Sequence, residues 1–170
     1  MQESLRYQGD RFRVVHVVPD PSTGLPSRDV IRHPGAVVIL PMIDDRTLCL
    51  IRNRRLSVGA ELIELPAGTR NLDEAPETTA IRELEEETGW STDSVESLGV
   101  LLMSPGILDE RMHVFVARNL TQREQKLEPD ERITTLAVGI DEAFDWVRDG
   151  KIVDAKTVAA LLLFRLKTGH

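Results

Sequence analysis

The stretch GTRNLDEAPETTAIRELEEETG, residues 68–89, places a loop beside a strongly acidic segment with the signals of a helix. Pro76 is suited to the first turn of a helix, and Gly89 stands where helices commonly end. Between residues 73 and 87 there are seven acidic side chains and one basic side chain. The spacing predicts a helix from about Pro76 to Thr88.

The predicted helix carries three of its carboxylates on one face. At about 100° per residue, Glu83, Glu86 and Glu87 fall within an arc of about 100°, and Ala80 and Leu84 form an apolar stripe that can pack on a sheet. Clustered carboxylates repel one another unless a cation lies among them, and carboxylate oxygens are ligands that Mg²⁺ prefers. An arbitrary acidic run, however, is more often a solvated helix face.

The spacing of the fixed residues decides between these two interpretations. Gly68, Glu74 and the segment RELEEETG, residues 82–89, resemble the Nudix box. With a usage of about 6% for each of the seven fixed identities, a coincidental match has a chance on the order of one in a hundred million per starting position. The resemblance implies an α+β fold, an α/β/α sandwich with a central mixed sheet, in which the box forms a loop-helix-loop.

The resemblance also implies a role for each acidic residue of the box. The carbonyl of Ala67 or Gly68 would add a ligand to a bound divalent cation, Mg²⁺ or alternatively Mn²⁺, while Glu74 and Arg82 would form a structural ion pair. The implied metal-ligating carboxylates are those of Glu83, Glu86 and Glu87.

The likeness extends beyond the box to the ADP-ribose pyrophosphatase branch of the family. Residues 64–68 (ELPAG) lead into the box as in that branch, and residues 52–55 (RNRR) resemble its Arg-Gln-X-Arg segment, with Asn53 in place of glutamine. Residues 104–110 (SPGILDE) are similar to its Ser-Pro-Gly loop, and Pro105 lies 16 residues past the end of the box.

These segments imply residues for substrate binding and catalysis. Planar guanidinium groups suit a diphosphate, although an ordinary surface role stays open for each arginine. Glu110 would act as a general base on a glycine-containing loop, with Glu86 as the other candidate. A loop acid paired with Arg111 and a metal ligand are the alternatives for Glu110. The implied substrate-binding residues are Arg52, Arg55, Pro105 and Gly106.

The remaining sequence predicts a mixed order of strands and helices. Residues 1–33 form a separate segment, with strands at 11–18 and 28–32 that predict an N-terminal β-hairpin, and residues 34–170 form the Nudix domain. Because the family commonly pairs through such a segment, we expect a homodimer. Further strands are predicted at 36–40, 47–51, 98–102, 112–117 and 133–140, and further helices at 141–148 and 156–167.

Composition narrows the class of protein. The chain has 170 residues, a net charge of −7 and one cysteine, so an acidic overall balance disfavours binding to nucleic acid or to anionic membranes. A single cysteine excludes an intramolecular disulfide. No segment reaches the length of about 18 apolar residues that a membrane span needs, and the first ten residues lack a signal-peptide core. We therefore expect a cytoplasmic protein.

The sequence thus predicts an Mg²⁺-dependent hydrolase of a nucleoside diphosphate sugar, with ADP-ribose as the favoured substrate and AMP and ribose 5-phosphate as products. Two alternatives stay open. One is hydrolysis of another nucleoside diphosphate-linked compound. The other is a Nudix-fold module that senses such a ligand without cleaving it, which the intact acid set Glu83, Glu86 and Glu87 disfavours.

Overall fold

The computed structural model of the chain describes residues 1–129 and 131–169, which form twelve strands and three α-helices. The helices are α1 (Pro76–Thr88), α2 (Ile140–Arg148) and α3 (Ala155–Thr168). The strands are β1 (Gln2–Gln8), β2 (Arg13–Val18), β3 (Arg28–Arg32), β4 (Ala36–Pro41), β5 (Thr47–Arg55), β6 (Ala60–Glu64), β7 (Ala67–Thr69), β8 (Trp90–Ser91), β9 (Val95–Leu102), β10 (Arg111–Ala117), β11 (Thr121–Gln122) and β12 (Ile133–Gly139). Within the described residues, none of the helices has both the length and the apolar character needed to cross a membrane.

The central sheet has the strand order β7-β4-β10-β9 and is mixed. Strands β4 and β10 run parallel, whereas the β4–β7 and β9–β10 pairs are antiparallel. Successive residues of β4 face opposite sides of the sheet, so Val37 and Ile39 pack with Ala80 and Leu84 of α1. This arrangement places the box helix directly against the centre of the sheet.

The other face of the central sheet is covered by a second sheet and two helices. Strands β12, β5 and β6 form this sheet, and the main core joins it to Val38 and Leu40 of β4, to Phe144 of α2 and to Leu161 and Phe164 of α3. The mixed sheet therefore lies between α1 on one side and α2 and α3 on the other. The expected α+β sandwich is confirmed.

The N-terminal segment is a three-stranded antiparallel sheet rather than a hairpin alone. Strands β2 and β3 form the expected pair, and β1 adds a strand that the sequence did not indicate. All seven residues of β1 are exposed, so its sequence QESLRYQ has no buried face to produce apolar alternation.

Helix α1 has the boundaries that its sequence predicts. Gly89 adopts a φ of 71°, and its N–H donates to the carbonyl of Glu85 at 2.9 Å, which ends the helix. Two further carbonyls at this end accept hydrogen bonds from the segment after β11. Lys126 N donates to Glu86 O at 2.9 Å, and Gln125 Nε2 donates to Glu87 O at 2.6 Å. This segment is thereby fastened to the end of the helix that carries the clustered acids.

Candidate active site

A cleft of about 1120 Å³ opens where α1, the ends of the central strands, the loop before β10 and the N-terminal sheet meet. It brings together most of the residues that the sequence analysis selected. Those that line it are Arg55, Ala67, Gly68, Glu83, Glu87 and Glu110. The other selected residues, Arg52, Glu86, Pro105 and Gly106, are not among its lining residues.

Glu83 lies directly over Gly68. A Cβ atom added at Gly68 would lie 1.9 Å from Cδ of Glu83, so only glycine leaves room for this carboxylate in its observed position. Burial raises the pKa of Glu83 to about 7, with a smaller contribution from Glu86, while Arg82 acts in the opposite direction. The fixed glycine of the box thus seats one of the candidate metal ligands.

Glu87 is the most deeply buried carboxylate of the cleft, with 3% of the residue exposed. Its Oε2 accepts a hydrogen bond from the backbone N–H of Ala67 at 2.9 Å. Burial, helped by the nearby charge of Glu83, raises the pKa of Glu87 to about 8 despite the opposing effects of the Ala67 hydrogen bond and Arg55. Two buried, mutually repelling carboxylates create a strong preference for a cation between or beside them.

Arg82 forms ion pairs with three acids of the box. Its Nε and Nη2 lie 3.2 Å from the two carboxylate oxygens of Glu74, which forms the ion pair that the box implies. Its Nη1 lies 2.7 Å from Oε2 of Glu86 and 2.9 Å from Oε1 of Glu83. Arg82 lines the cleft together with Glu83 and Glu87, whereas Glu86 lies beyond Arg82 and lines a second, smaller hollow on α1.

The oxygen atoms of the cleft can supply part of the coordination shell of a hard divalent cation. Within residues 1–129 and 131–169, no three acidic, histidine or cysteine side chains stand in an arrangement ready to hold an ion. Glu83 and Glu87 nevertheless share the cleft with the backbone of Ala67 and Gly68, and these are the oxygen types that Mg²⁺ binds. Glu86 can bind the ion only if its carboxylate first leaves Arg82.

A basic group lies on the wall of the cleft formed by β5 and α3. Arg55 binds Glu64 through Nε at 2.9 Å and Nη2 at 2.7 Å, and Lys156 Nζ lies 2.5 Å from the same carboxylate. Glu64 is fully buried, and its charge is matched by these two cations. Because β5 continues as a regular strand to Arg55, alternation places Arg52 on the opposite face, where its Nη1 lies 3.4 Å from Glu61.

The loop from Ser104 to Asp109 is attached to the N-terminal sheet. Ile31 N donates to Ile107 O at 2.8 Å, and Asp109 N donates to Ile31 O at 3.1 Å. The carboxylate of Asp109 accepts hydrogen bonds from Arg32 Nη1 at 3.0 Å and from the backbone N–H of the next residue, at position 33, at 2.8 Å. The loop that leads to Glu110 is therefore held by β3.

Glu110 itself extends into the cleft and faces His33. The carboxylate Oε1 lies 3.6 Å from Nδ1 of His33, whereas that nitrogen accepts a hydrogen bond from Gly35 N at 3.1 Å. The described contacts of Glu110 thus involve His33 and not the ion pair with Arg111 considered above.

The sequence matches the NUDIX domain family over residues 32–161. The chain belongs to the Nudix family. This Nudix protein is 36% identical over 142 residues to the ADP-ribose pyrophosphatase of Bacillus subtilis (strain 168), a match that covers 82% of this chain and 77% of the relative. It is 34% identical over 142 residues to the methanol dehydrogenase activator of Bacillus methanolicus, with the same two coverages.

Two further comparisons concern substrate class and fold. The Nudix protein is 34% identical over 159 residues to the GDP-mannose pyrophosphatase of Escherichia coli O139:H28, which covers 84% of this chain and 82% of the relative. A crystal structure of an ADP compounds hydrolase superimposes with a TM-score of 0.82 at 25% identity, covering 99% of this chain and 92% of that chain. Both the family and the fold expected from the box are thus confirmed.

Sequence reasoning missed several charged residues that line the cleft of this Nudix protein, among them Glu128, Glu131 and Lys156. Glu131 lines the same cleft as Glu83 and Glu87, and its charge acts to raise the pKa of both. The signal that could have found Glu131 is the pairing of the strand that follows it. Glu131 shortly precedes β12, whose first residue, Ile133, pairs with Asn53 near the cleft end of β5.

Proposed function

We propose that this Nudix hydrolase cleaves the pyrophosphate bond of a nucleoside diphosphate sugar, with ADP-ribose as substrate and AMP and ribose 5-phosphate as products. The observation that carries the proposal is the division of one cleft into two charged walls. Glu83 and Glu87 form the acidic wall, and Arg55 with Lys156 forms the basic wall. Such a cleft suits a diphosphate that is neutralised by a cation on one side and by basic side chains on the other. The name of the B. subtilis relative supports the choice of ADP-ribose.

We assign the binding of a divalent cation, Mg²⁺ or Mn²⁺, to Glu83, Glu87 and the carbonyl of Ala67, with Glu86 joining them after it leaves Arg82. When bound, the ion supplies Lewis-acid stabilisation of charge on the phosphate oxygens and lowers the pKa of water. The buried carboxylates hold the ion in place, and Gly68 fixes the position of Glu83.

Hydrolysis also needs a group that accepts the proton of the attacking water, and two carboxylates of the cleft are suited to it. Glu110 is the residue that the family resemblance implies, and Glu131 is the residue whose charge acts on both Glu83 and Glu87. Either would remove a proton from water as the oxygen attacks phosphorus, while Arg55 orients the diphosphate. Glu86 is less suited because it faces Arg82 outside the cleft.

A second substrate is supported by a specific comparison. The relative named as a GDP-mannose pyrophosphatase favours another nucleoside diphosphate sugar as the alternative. A Nudix-fold sensor without catalysis is disfavoured by the complete acid set. We further propose that the protein acts in the cytoplasm as a homodimer, and that residues 1–33 form the dimerisation element beside the catalytic domain, residues 34–170.

The test is incubation with ADP-ribose and Mg²⁺, followed by ³¹P NMR of the products. AMP and ribose 5-phosphate support the proposal. GDP-mannose turnover without ADP-ribose turnover selects the alternative, and binding of either compound without cleavage indicates a sensor.

The acid set is tested by Glu83→Gln and Glu87→Gln. Each should lower kcat by orders of magnitude with the fold retained, because each removes a carboxylate charge from the proposed ion site. Glu85→Gln is the matched control, since Glu85 lies on the same helix and pairs with Lys126 at 2.7 Å. Near-normal turnover of either variant at saturating Mg²⁺ would contradict the metal assignment.

A further inference from the structure

Lys156 is a buried cation on the wall of the cleft. It lies in the first turn of α3, and its side chain is 12% exposed. Its Nζ lies 2.5 Å from Oε2 of Glu64 and 2.9 Å from Oδ1 of Asp154. An ammonium group can donate three hydrogen bonds; Glu64 accepts one of them, and Asp154 forms an ion pair with the same group. One donor therefore stays available for a ligand.

The carboxylates around Lys156 do not fully match the positive charge beside it. Glu64 is shared, because Arg55 binds it with two hydrogen bonds while Lys156 binds it with one. Asp154 is also shared, because its Oδ2 accepts hydrogen bonds from the backbone N–H and the hydroxyl of Thr157 at the start of α3. Two cations and the partial positive charge of a helix N-terminus thus compete for two carboxylates.

The basic wall and the acidic wall line the same cleft. The two walls are joined by one short segment, since Glu64, which Arg55 binds at 2.7 Å, lies three residues before Ala67, whose backbone N–H donates to Glu87 at 2.9 Å. A diphosphate that places one phosphate against the acidic wall and its ion would bring the other phosphate towards Arg55 and Lys156. The walls are arranged for a ligand with two linked phosphates.

We propose that Lys156 is a substrate-binding residue, which together with Arg55 holds the phosphate farther from the acid set. This inference rests on the proposed function, in which the ligand is a nucleoside diphosphate. It assigns to Lys156 the position that the resemblance in sequence implied for Arg52, which lies outside the cleft with 42% of its side chain exposed. The flexible ammonium can turn from Asp154 to a phosphate without moving α3.

The test measures binding of inorganic pyrophosphate by calorimetry in EDTA, so that neither hydrolysis nor a metal ion contributes. Lys156→Met should weaken binding about tenfold or more, because it removes a hydrogen bond between charged groups. Lys167→Met is the matched control, since it removes the same charge from the last turn of the same helix, and its affinity should equal that of the wild type.

Asp154→Asn gives a second test of opposite sign. Asparagine retains an oxygen that can cap α3, but it removes a negative charge that competes with the ligand for Lys156. Pyrophosphate should bind a few-fold more tightly to this variant, an effect that a lysine serving only to balance Glu64 would not produce. If Lys156→Met fails to fold, Asp154→Asn decides alone.

Unchanged pyrophosphate affinity in folded Lys156→Met would overturn the proposal, and so would unchanged or weaker binding by Asp154→Asn, or the absence of binding to the wild type. Failure of the proposed function is distinguishable. In that case the wild type would leave ADP-ribose and GDP-mannose intact with Mg²⁺, while pyrophosphate binding would still depend on Lys156.

Discussion

Folding raises the pKa values of the carboxyl groups of Glu83 and Glu87 well above the ordinary value of a glutamate. Burial raises their pKa values to about 7 and about 8, whereas a glutamate in an unfolded chain has a pKa of about 4.3. The folded chain therefore binds more protons than the unfolded chain between these values. Stability contributed by such groups is present at low pH and is lost as the pH rises through the folded-state pKa.

We accordingly expect the Tm of the metal-free protein to fall as the pH is raised from about 5 to about 9. Saturating Mg²⁺ should remove most of this decline, because an ion at the deprotonated carboxylates stabilises the folded state. Thermal unfolding followed by circular dichroism in EDTA and in Mg²⁺ measures both effects. Glu87→Gln should show a shallower decline in EDTA, and a Tm in EDTA that rises over this range for the wild type would contradict the assignment.

Gly68 provides a second test at a single position. In Gly68→Ala the new Cβ would collide with Glu83, and the flexible glutamate side chain would move away. We expect Mg²⁺ affinity and kcat to fall about tenfold or more, with a much smaller change in the free energy of unfolding, because the fold loses little when an end of a side chain shifts.

Gly139→Ala is the matched control for this substitution, since nothing lies within 4 Å of the corresponding Cβ position. Calorimetric Mg²⁺ titration and steady-state kinetics of both variants provide the comparison. Wild-type Mg²⁺ affinity in Gly68→Ala would show that the position of Glu83 is unimportant for the ion.

Among the secondary-structure elements, α1 could be predicted to the residue and β1 could not be predicted at all. The reason is physical. Helix α1 has a proline in its first turn and a glycine in the left-handed conformation after its last turn, and both are local signals. Strand β1 is set by its pairing with β2, which periodicity within β1 does not reveal because both of its faces are exposed. The short strand β6 was missed for a related reason, since AELIE carries few signals of its own.

The residues of the site likewise divide into those that neighbouring residues in the sequence predict and those that only tertiary packing brings to the cleft. Glu83 and Glu87 could be predicted because residues four apart on a helix share a face, and that face is recorded in the local sequence. The sequence predicts a strand that ends at residue 51, so both Arg52 and Arg55 are expected to reach the substrate. Because β5 continues to Arg55, the alternation of side chains places the two arginines on opposite faces. Lys156 and Glu131 enter the cleft from elements far along the chain, so their positions follow only from tertiary packing.

The loops on the two sides of the cleft offer different candidates for the general base. The loop that carries Glu110 is fastened to β3, and the segment that carries Glu131 is fastened to α1 through Gln125 and Lys126. Because Glu131 is a carboxylate that lines the cleft together with Glu83 and Glu87, we expect Glu131→Gln to lower kcat about 100-fold or more with little change in KM or Mg²⁺ affinity. Glu110→Gln should lower kcat less.

Steady-state kinetics of both variants across a Mg²⁺ titration would decide between the two carboxylates. A larger fall in kcat for Glu110→Gln would return the role of base to Glu110, as the family resemblance implies. Recovery of the rate at high Mg²⁺ would instead identify the substituted residue as a metal ligand. Glu85→Gln again controls for the loss of one acidic side chain.

On the scale of the whole molecule, the N-terminal sheet exposes apolar side chains that a monomer would leave in water. Leu5 and Tyr7 of β1 and Phe12 before β2 are all exposed, and β1 is an edge strand. Such a patch on an open edge favours contact with a second chain. We expect a homodimer in which this sheet contributes to the interface, with a mass of twice the 19.1 kDa of the chain.

Light scattering at micromolar concentration measures the mass directly. Leu5→Asp should shift the protein towards the monomer, because it places a charge in the proposed interface. Arg46→Asp, which changes an exposed side chain remote from the N-terminal sheet, serves as the control. A wild-type protein that is monomeric and fully active would exclude the dimer.

The parallel pairing of β4 with β10 has a consequence for the time course of folding. It joins residue 36 to residue 112, and the pairing of β5 with β12 joins residue 53 to residue 133, so both require closure of long loops. Chains with such distant contacts fold slowly, and Glu87 is buried only once the central sheet has formed over α1. An ion that recognises only the finished site should therefore slow unfolding and leave the folding rate nearly unchanged. Chelation would shorten the lifetime of the native protein without altering how fast a denatured chain returns to it.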